Sequence, residues 1–186
     1  TASSASSGIA TLTLRDIGGK FFTNGNISVT TLSVDNTVHD VSFTGGTNAF
    51  TNAVTFQNDG TLELGNAAGD TFTFNGGLTE TTTGTVTLAS AISSSNDAIS
   101  FGAVTLGANT IIDTNASSTT GDLTLGVVTG GNNTLTLSTG NNVNNSDITA
   151  SGNISGVTTL TLADVGGTAT LSGDVDVTTL TVGNTV

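Results

Sequence analysis

Residues 61–64 and 71–74 read Thr61-Leu62-Glu63-Leu64 and Thr71-Phe72-Thr73-Phe74. Apolar and polar residues alternate with period two, which sets Leu and Phe on one side of an extended chain and Thr or Glu on the other. The same unit stands at Thr11-Leu12-Thr13-Leu14, Thr31-Leu32-Ser33-Val34 and Thr85-Val86-Thr87-Leu88. It returns at Thr134-Leu135-Thr136-Leu137, Thr159-Leu160-Thr161-Leu162 and Thr179-Leu180-Thr181-Val182. β-Branched Thr suits the outer face of a strand sterically. No stretch carries apolar residues at helical spacing over three turns, so the chain is expected to be all-β.

Gly and Asn runs punctuate these strands, among them Asn24-Gly25, Gly45-Gly46, Asn75-Gly76-Gly77 and Gly130-Gly131-Asn132-Asn133. Both residue types tolerate positive φ and mark tight turns. Strand signals fall about 8 to 14 residues apart in some places and about 18 to 25 in others, the rhythm of short strands. Proline is absent, as suits a ladder that every residue has to join, because proline cannot donate to it. Coils of about 20–25 residues with two or three strands each absorb both spacings. The expected fold is a right-handed parallel β-solenoid, with tandem β-sandwich domains as the alternative.

Composition narrows the function. Thr (40), Gly (25), Ser (19) and Asn (19) make up more than half of the 186 residues. Fourteen acidic residues face only two basic ones, Arg15 and Lys20, for a net charge of −12. Binding nucleic acid through phosphates needs clustered Lys and Arg, so that class is excluded, as is the polybasic route to a membrane. Without cysteine there is no disulfide framework, thiolate metal site or thiol nucleophile. No apolar run is long enough to insert into a bilayer. One histidine, His39, leaves little acid–base machinery, and no enzyme is expected.

The chain also repeats itself. Shifted by 148 positions without gaps, residues 1–38 fall on residues 149–186 with 21 identities. Asp16-Ile17-Gly18-Gly19 meets Asp164-Val165-Gly166-Gly167, and Val29-Thr30-Thr31-Leu32 meets Val177-Thr178-Thr179-Leu180. Residues 1–148 read as one full module of six or seven coils, and residues 149–186 as the start of the next copy. The chain opens without Met and closes inside a motif, and so reads as an excerpt from a longer tandem array.

The fragment resembles the β-strand-repeat regions of giant exported bacterial surface proteins, a loose group that includes filamentous-haemagglutinin-like adhesins and surface-layer-like repeat proteins. Val41-Ser42-Phe43-Thr44-Gly45-Gly46, residues 61–70, Phe72-Thr73-Phe74-Asn75-Gly76-Gly77-Leu78 and residues 102–110 carry the resemblance. It implies an extracellular or cell-surface location and a non-catalytic structural role in a filament, stalk or coat. Its partners would be copies of itself, end to end or side by side. An adhesin module recognising glycan or a neighbouring cell is the alternative, and a glycan-cleaving β-helix enzyme comes third.

Several residues admit a site-like role beside a plainer one. Asp16, Asp59, Asp70, Asp122 and Asp164 sit at turn-like positions, where Asp ordinarily bonds nearby backbone. The alternative is Ca²⁺, which takes six to eight oxygens that adjacent coils could supply; no other cofactor is expected. Asp174 and Asp176 share a strand face as paired carboxylates can, but Asn26 and Ser28 replace them in the first copy. His39 beside Asp40 has no accompanying nucleophile and reads as a turn residue. Asn26, Asn115, Asn132, Asn144 and Asn153 head Asn-x-Ser/Thr sequons, possible glycosylation points at about the number this composition gives by chance. Outward Thr-x-Thr pairs resemble those of ice-binding solenoids, though the coil length here varies. Phe21 and Phe22 meet Ala169 and Thr170 in the second copy. At least one of the two is therefore expected outside the strict core layer, as a contact to a neighbouring module or chain.

Overall fold

The computed structural model describes residues 6–117, 121–140 and 145–183. Among the described residues there is no helix, and 21 strands join one parallel sheet that winds into a β-solenoid of about 8 turns. Each strand between the first and last described turns pairs with the strand one turn before it and the strand one turn after it. That pattern removes the β-sandwich alternative, whose sheets are antiparallel.

Three faces result. Face 1 stacks β2 (Lys20–Thr23), β4 (Asp40–Phe43), β7 (Leu62–Leu64), β10 (Val86–Leu88), β13 (Val104–Leu106) and β16 (Val128–Thr129). Face 2 stacks β5 (Thr47–Phe50), β8 (Thr71–Phe74), β11 (Ala91–Ser94), β14 (Thr110–Asp113) and β17 (Thr134–Ser138). Face 3 stacks β6 (Val54–Phe56), β9 (Leu78–Glu80), β12 (Ile99–Phe101), β15 (Leu123–Leu125), β18 (Ile148–Ala150) and β20 (Ala169–Leu171).

Four longer strands each cross two faces. β1 (Ser6–Leu14) and β3 (Ile27–Val34) lie together, and β3 meets β5 at Val29↔Phe50 and β6 at Val34↔Phe56, so this pair covers faces 2 and 3. β19 (Ile154–Ala163) meets β16 at Ile154↔Val128 and β17 at Leu160↔Leu135. With its partner β21 (Val175–Val182) it covers faces 1 and 2.

Turn length runs from 18 residues, at Val86↔Val104, to 26, at Val128↔Ile154. This is a wider spread than the 20–25 the spacing suggests. Only the strands have to stack, and the corners accept loops of different length. Inward positions form continuous columns such as Val41–Leu62–Val86–Val104–Val128–Ile154, each at most 3% exposed. The outward positions beside them are Ser42, Glu63, Thr87, Thr105, Thr129 and Ser155.

Six phenylalanines fill the core of the first turns. Phe43, Phe50, Phe56, Phe72, Phe74 and Phe101 are all 2% exposed or less. Phe74 stacks on Phe50 at 4.9 Å between ring centres and meets the edge of Phe56 at 6.1 Å. Hydroxyls close the corners. Ser90 Oγ donates to the Leu64 carbonyl, Thr81 Oγ1 to that of Phe56 and Thr110 Oγ1 to that of Leu88, each one turn back. Each of these carbonyls also accepts a backbone N–H from the following turn, from Ala89, Thr81 and Gly107 respectively, so the hydroxyl uses the second lone pair of a strand-end carbonyl.

Phe74→Ala removes the ring that links Phe50, Phe56 and Phe72. Denaturant unfolding is expected to show a loss of about 3–5 kcal/mol. A loss under about 1 kcal/mol would mean that the aromatic column is not packed as described.

Candidate functional site

The Asp and Asn residues at the turns mostly act across turns. At the start of a strand or just ahead of it, a side-chain oxygen accepts the backbone N–H of the corresponding residue one turn on. Asn26 Oδ1 accepts from Thr47 N at 3.1 Å, and Asp40 Oδ1 from Thr61 N at 2.7 Å. Asn109 holds Thr134 N at 2.9 Å and Asn153 holds Asp174 N at 3.0 Å. Asp122 accepts from Asp147 N at 2.9 Å, and Asp147 in turn accepts from Thr168 N at 2.7 Å, a ladder over three turns.

The five candidate calcium ligands are spread along this framework. Asp122 is a clamp of the kind just described. Asp70 is buried and uses Oδ2 within its own turn, accepting from Asn66 N at 2.9 Å and Ala67 N at 3.2 Å. Asp59 holds His39. Asp16 and Asp164 both adopt positive φ, 55° and 42°, and shape the same turn in the two copies. Among the described residues no three His, Asp or Glu side chains gather as a metal cage would need. No fixed spacing marks the clamps at Asp40, Asp147 and Asn109 in the sequence, because each partner lies 21 or 25 residues away in a turn of variable length.

His39 Nδ1 lies 2.8 Å from Asp59 Oδ1, both side chains more than half exposed. The bond to Asp59, followed by the charge of Asp40, raises the His39 pKa above 6.5. The bonds from Thr61 N and Oγ1 hold the Asp40 carboxyl below its usual range. On face 1, Phe21 leans onto the core at 5.7 Å from Phe43, while Phe22 is half-buried with the Lys20 ammonium 5.8 Å from its ring centre. Lys20 also reaches Glu63 Oε2 at 3.3 Å, and Ser42 Oγ donates to that oxygen at 2.6 Å.

Of the sequon residues, Asn26, Asn115, Asn132 and Asn153 are exposed, and Asn144 lies outside the described residues. Asn115 Nδ2 donates to the Ser94 carbonyl at 3.2 Å, so its amide is engaged. Asp174 and Asp176 are exposed at the end of the described solenoid.

Two concave grooves lie at corners of the solenoid. The larger, about 300 Å³, is lined by Gly8, Ile9, Ala10, Ser28, Thr30 and Thr51. The smaller, about 100 Å³, is lined by Asn132, Gly156, Val157, Thr158, Asp176 and Thr178. Gly8, Ile9, Ala10, Ser28 and Thr30 stand 148 positions before Gly156, Val157, Thr158, Asp176 and Thr178, so the grooves occupy the same place in the repeated sequence. A strand bends there across a corner, with a register shift at Gly8 and Gly156, whose φ values are +83° and +67°. We call this bend the elbow. Its walls offer hydroxyls, backbone and, in the second copy, the Asp176 carboxylate, without an aromatic platform. Comparison of the chain with known protein families, curated proteins and solved structures gives no match.

Replacing Asp122 by Ala leaves Asp147 N without its acceptor and is expected to cost about 1 kcal/mol in thermal or denaturant unfolding, whereas Asp122→Asn, which keeps an Oδ1, stays close to the parent. Equal losses in both variants would mean that the charge rather than the clamp matters.

By proton NMR, His39 is expected to titrate above 6.5, and Asp59→Asn to lower its midpoint. Because the folded pKa is the raised one, the contribution of this pair is fully present below about pH 6.5 and fades as pH rises through the folded value.

Proposed function

We propose that this chain is a structural repeat segment of an exported, extended protein of the cell surface or extracellular matrix, serving as filament, stalk or coat and catalysing nothing. One observation carries the reading. Residues 6–34 and 154–182 form the same strand pair at the two ends of one uninterrupted parallel stack. Ile9↔Val29, Leu12↔Leu32 and Leu14↔Val34 in the first copy recur as Val157↔Val177, Leu160↔Leu180 and Leu162↔Val182 in the second. A body whose last described turns reproduce its first is able to continue itself. Stability in such a stack accumulates by nearest-neighbour contacts between turns. The charge of −12 keeps rods soluble and makes their association sensitive to divalent ions. The resemblance to strand-repeat regions of exported bacterial surface proteins agrees with this role.

The elbow grooves favour a second reading, an adhesin surface whose Ser, Thr and Asp side chains bind glycan hydroxyls. A spacer role is the stronger of the two, because the deeply buried phenylalanines leave the grooves no ring on which a sugar could stack.

Appending residues 39–186 after Val186 adds one more 148-residue unit. Small-angle X-ray scattering is expected to show an unchanged cross-section and a particle longer by about 30 Å, at about 4.8 Å per turn. Two separate compact bodies on a flexible tether would sink the rod reading.

A further inference from the structure

The two copies share register and elbow but not position around the axis. β1 and β3 cover faces 2 and 3, and their elbow stands at the corner between those faces. β19 and β21 cover faces 1 and 2, and their elbow stands one corner earlier. The intervening strand moves in the same sense. β2 pairs with β4 on face 1, whereas its counterpart β20 pairs with β18 on face 3. From the start of β1 to the start of β19, β1 and β3 each fill two faces, while β2 and the strands β4 to β18 fill one each. The chain thus traverses twenty face segments at three to the turn.

We infer that the 148-residue unit advances the solenoid by six and two-thirds turns, so that each copy of the elbow groove stands one face round from the last and regains its face only after three copies. The inference rests on the rod reading above. It needs the three faces to be interchangeable, and the structure supplies the reason. Each face is a parallel ladder with mostly apolar residues inward, and the outward positions accept Thr, Ser, Ala, Glu or Ile, so a repeat unit need only end in register with some face.

The far edge of β21 shows how a further copy continues. On the equivalent edge of β3, Ser28 carries Ala49, Val29 carries Phe50 and Val34 carries Phe56. A new copy of residues 47–56 would therefore seat on Asp176, Val177 and Val182. It would cover Leu180 and Val182, which are 50% and 56% exposed at this edge.

At about 4.8 Å per turn, one unit rises about 32 Å and the surface pattern repeats after about 96 Å. A rod marked along one side would associate into a flat ribbon. This one turns its elbow to three directions, so any contact made there joins neighbours on all sides.

The chain extended with residues 39–186 tests this by cryo-electron microscopy or crystallography. The expected result is one continuous solenoid whose third elbow stands at the corner between faces 3 and 1. A continuous solenoid with that elbow directly above either earlier one overturns the inference and leaves the rod reading standing. Two separate bodies overturn both.

A second measurement asks whether the faces are interchangeable. It uses a chimera of residues 1–148 followed by residues 1–38, which places the first copy's sequence on faces 1 and 2. Its final two strands are expected to keep the amide protection of β19 and β21 in hydrogen exchange. Loss of that protection, with the preceding turns intact, overturns the inference.

Discussion

Each interior strand of this solenoid satisfies its backbone N–H and C=O groups on the strands one turn below and one turn above, and the other features answer to that ladder. Buried backbone groups must be paired, and a parallel stack pairs them only if successive turns bring strands back into line. Variable loops are tolerated because they sit at corners, where the chain need only return to the stack. Val86↔Val104 and Val128↔Ile154 close turns of very different length with strands equally well stacked. The missing proline follows from the same demand.

Two sets of side chains support the ladder where it is weakest. At strand starts, Asn26, Asp40, Asn109, Asp122, Asp147 and Asn153 each accept a backbone N–H from the next turn. At strand ends, Ser90, Thr81 and Thr110 donate to carbonyls of the preceding turn. Corners thus employ part of the Asn, Asp, Ser and Thr, while other threonines line the outward positions of the strands. Of the carboxylates that look like metal ligands in the sequence, Asp122 is such a clamp, while Asp70 accepts N–H groups within its own turn.

The fold was legible because alternation is local. Thr71-Phe72-Thr73-Phe74 states which side chains face inward, and Phe72 and Phe74 are fully buried. The division of labour between Phe21 and Phe22 was half legible: the second copy's Ala169 and Thr170 mark the position as tolerant, but only the packing shows that Phe21 leans on Phe43 while Phe22 lies beneath Lys20. The clamps and elbows were not legible. A clamp joins residues a full turn apart, and no fixed spacing announces it. The elbow hides in Gly8 and Gly156, two glycines among 25.

The sequence alone determined that the chain is all-β, which residues face inward, and that its pattern returns after 148 residues, since these are written in neighbouring residues or in direct self-comparison. Only the tertiary structure decided how many turns those residues make and on which face the second copy begins. The physical reason is that turn length depends on how each corner loop packs, between 18 and 26 residues here. A sequence period therefore fixes the distance along the chain but leaves the angle around the axis to the accumulated corners.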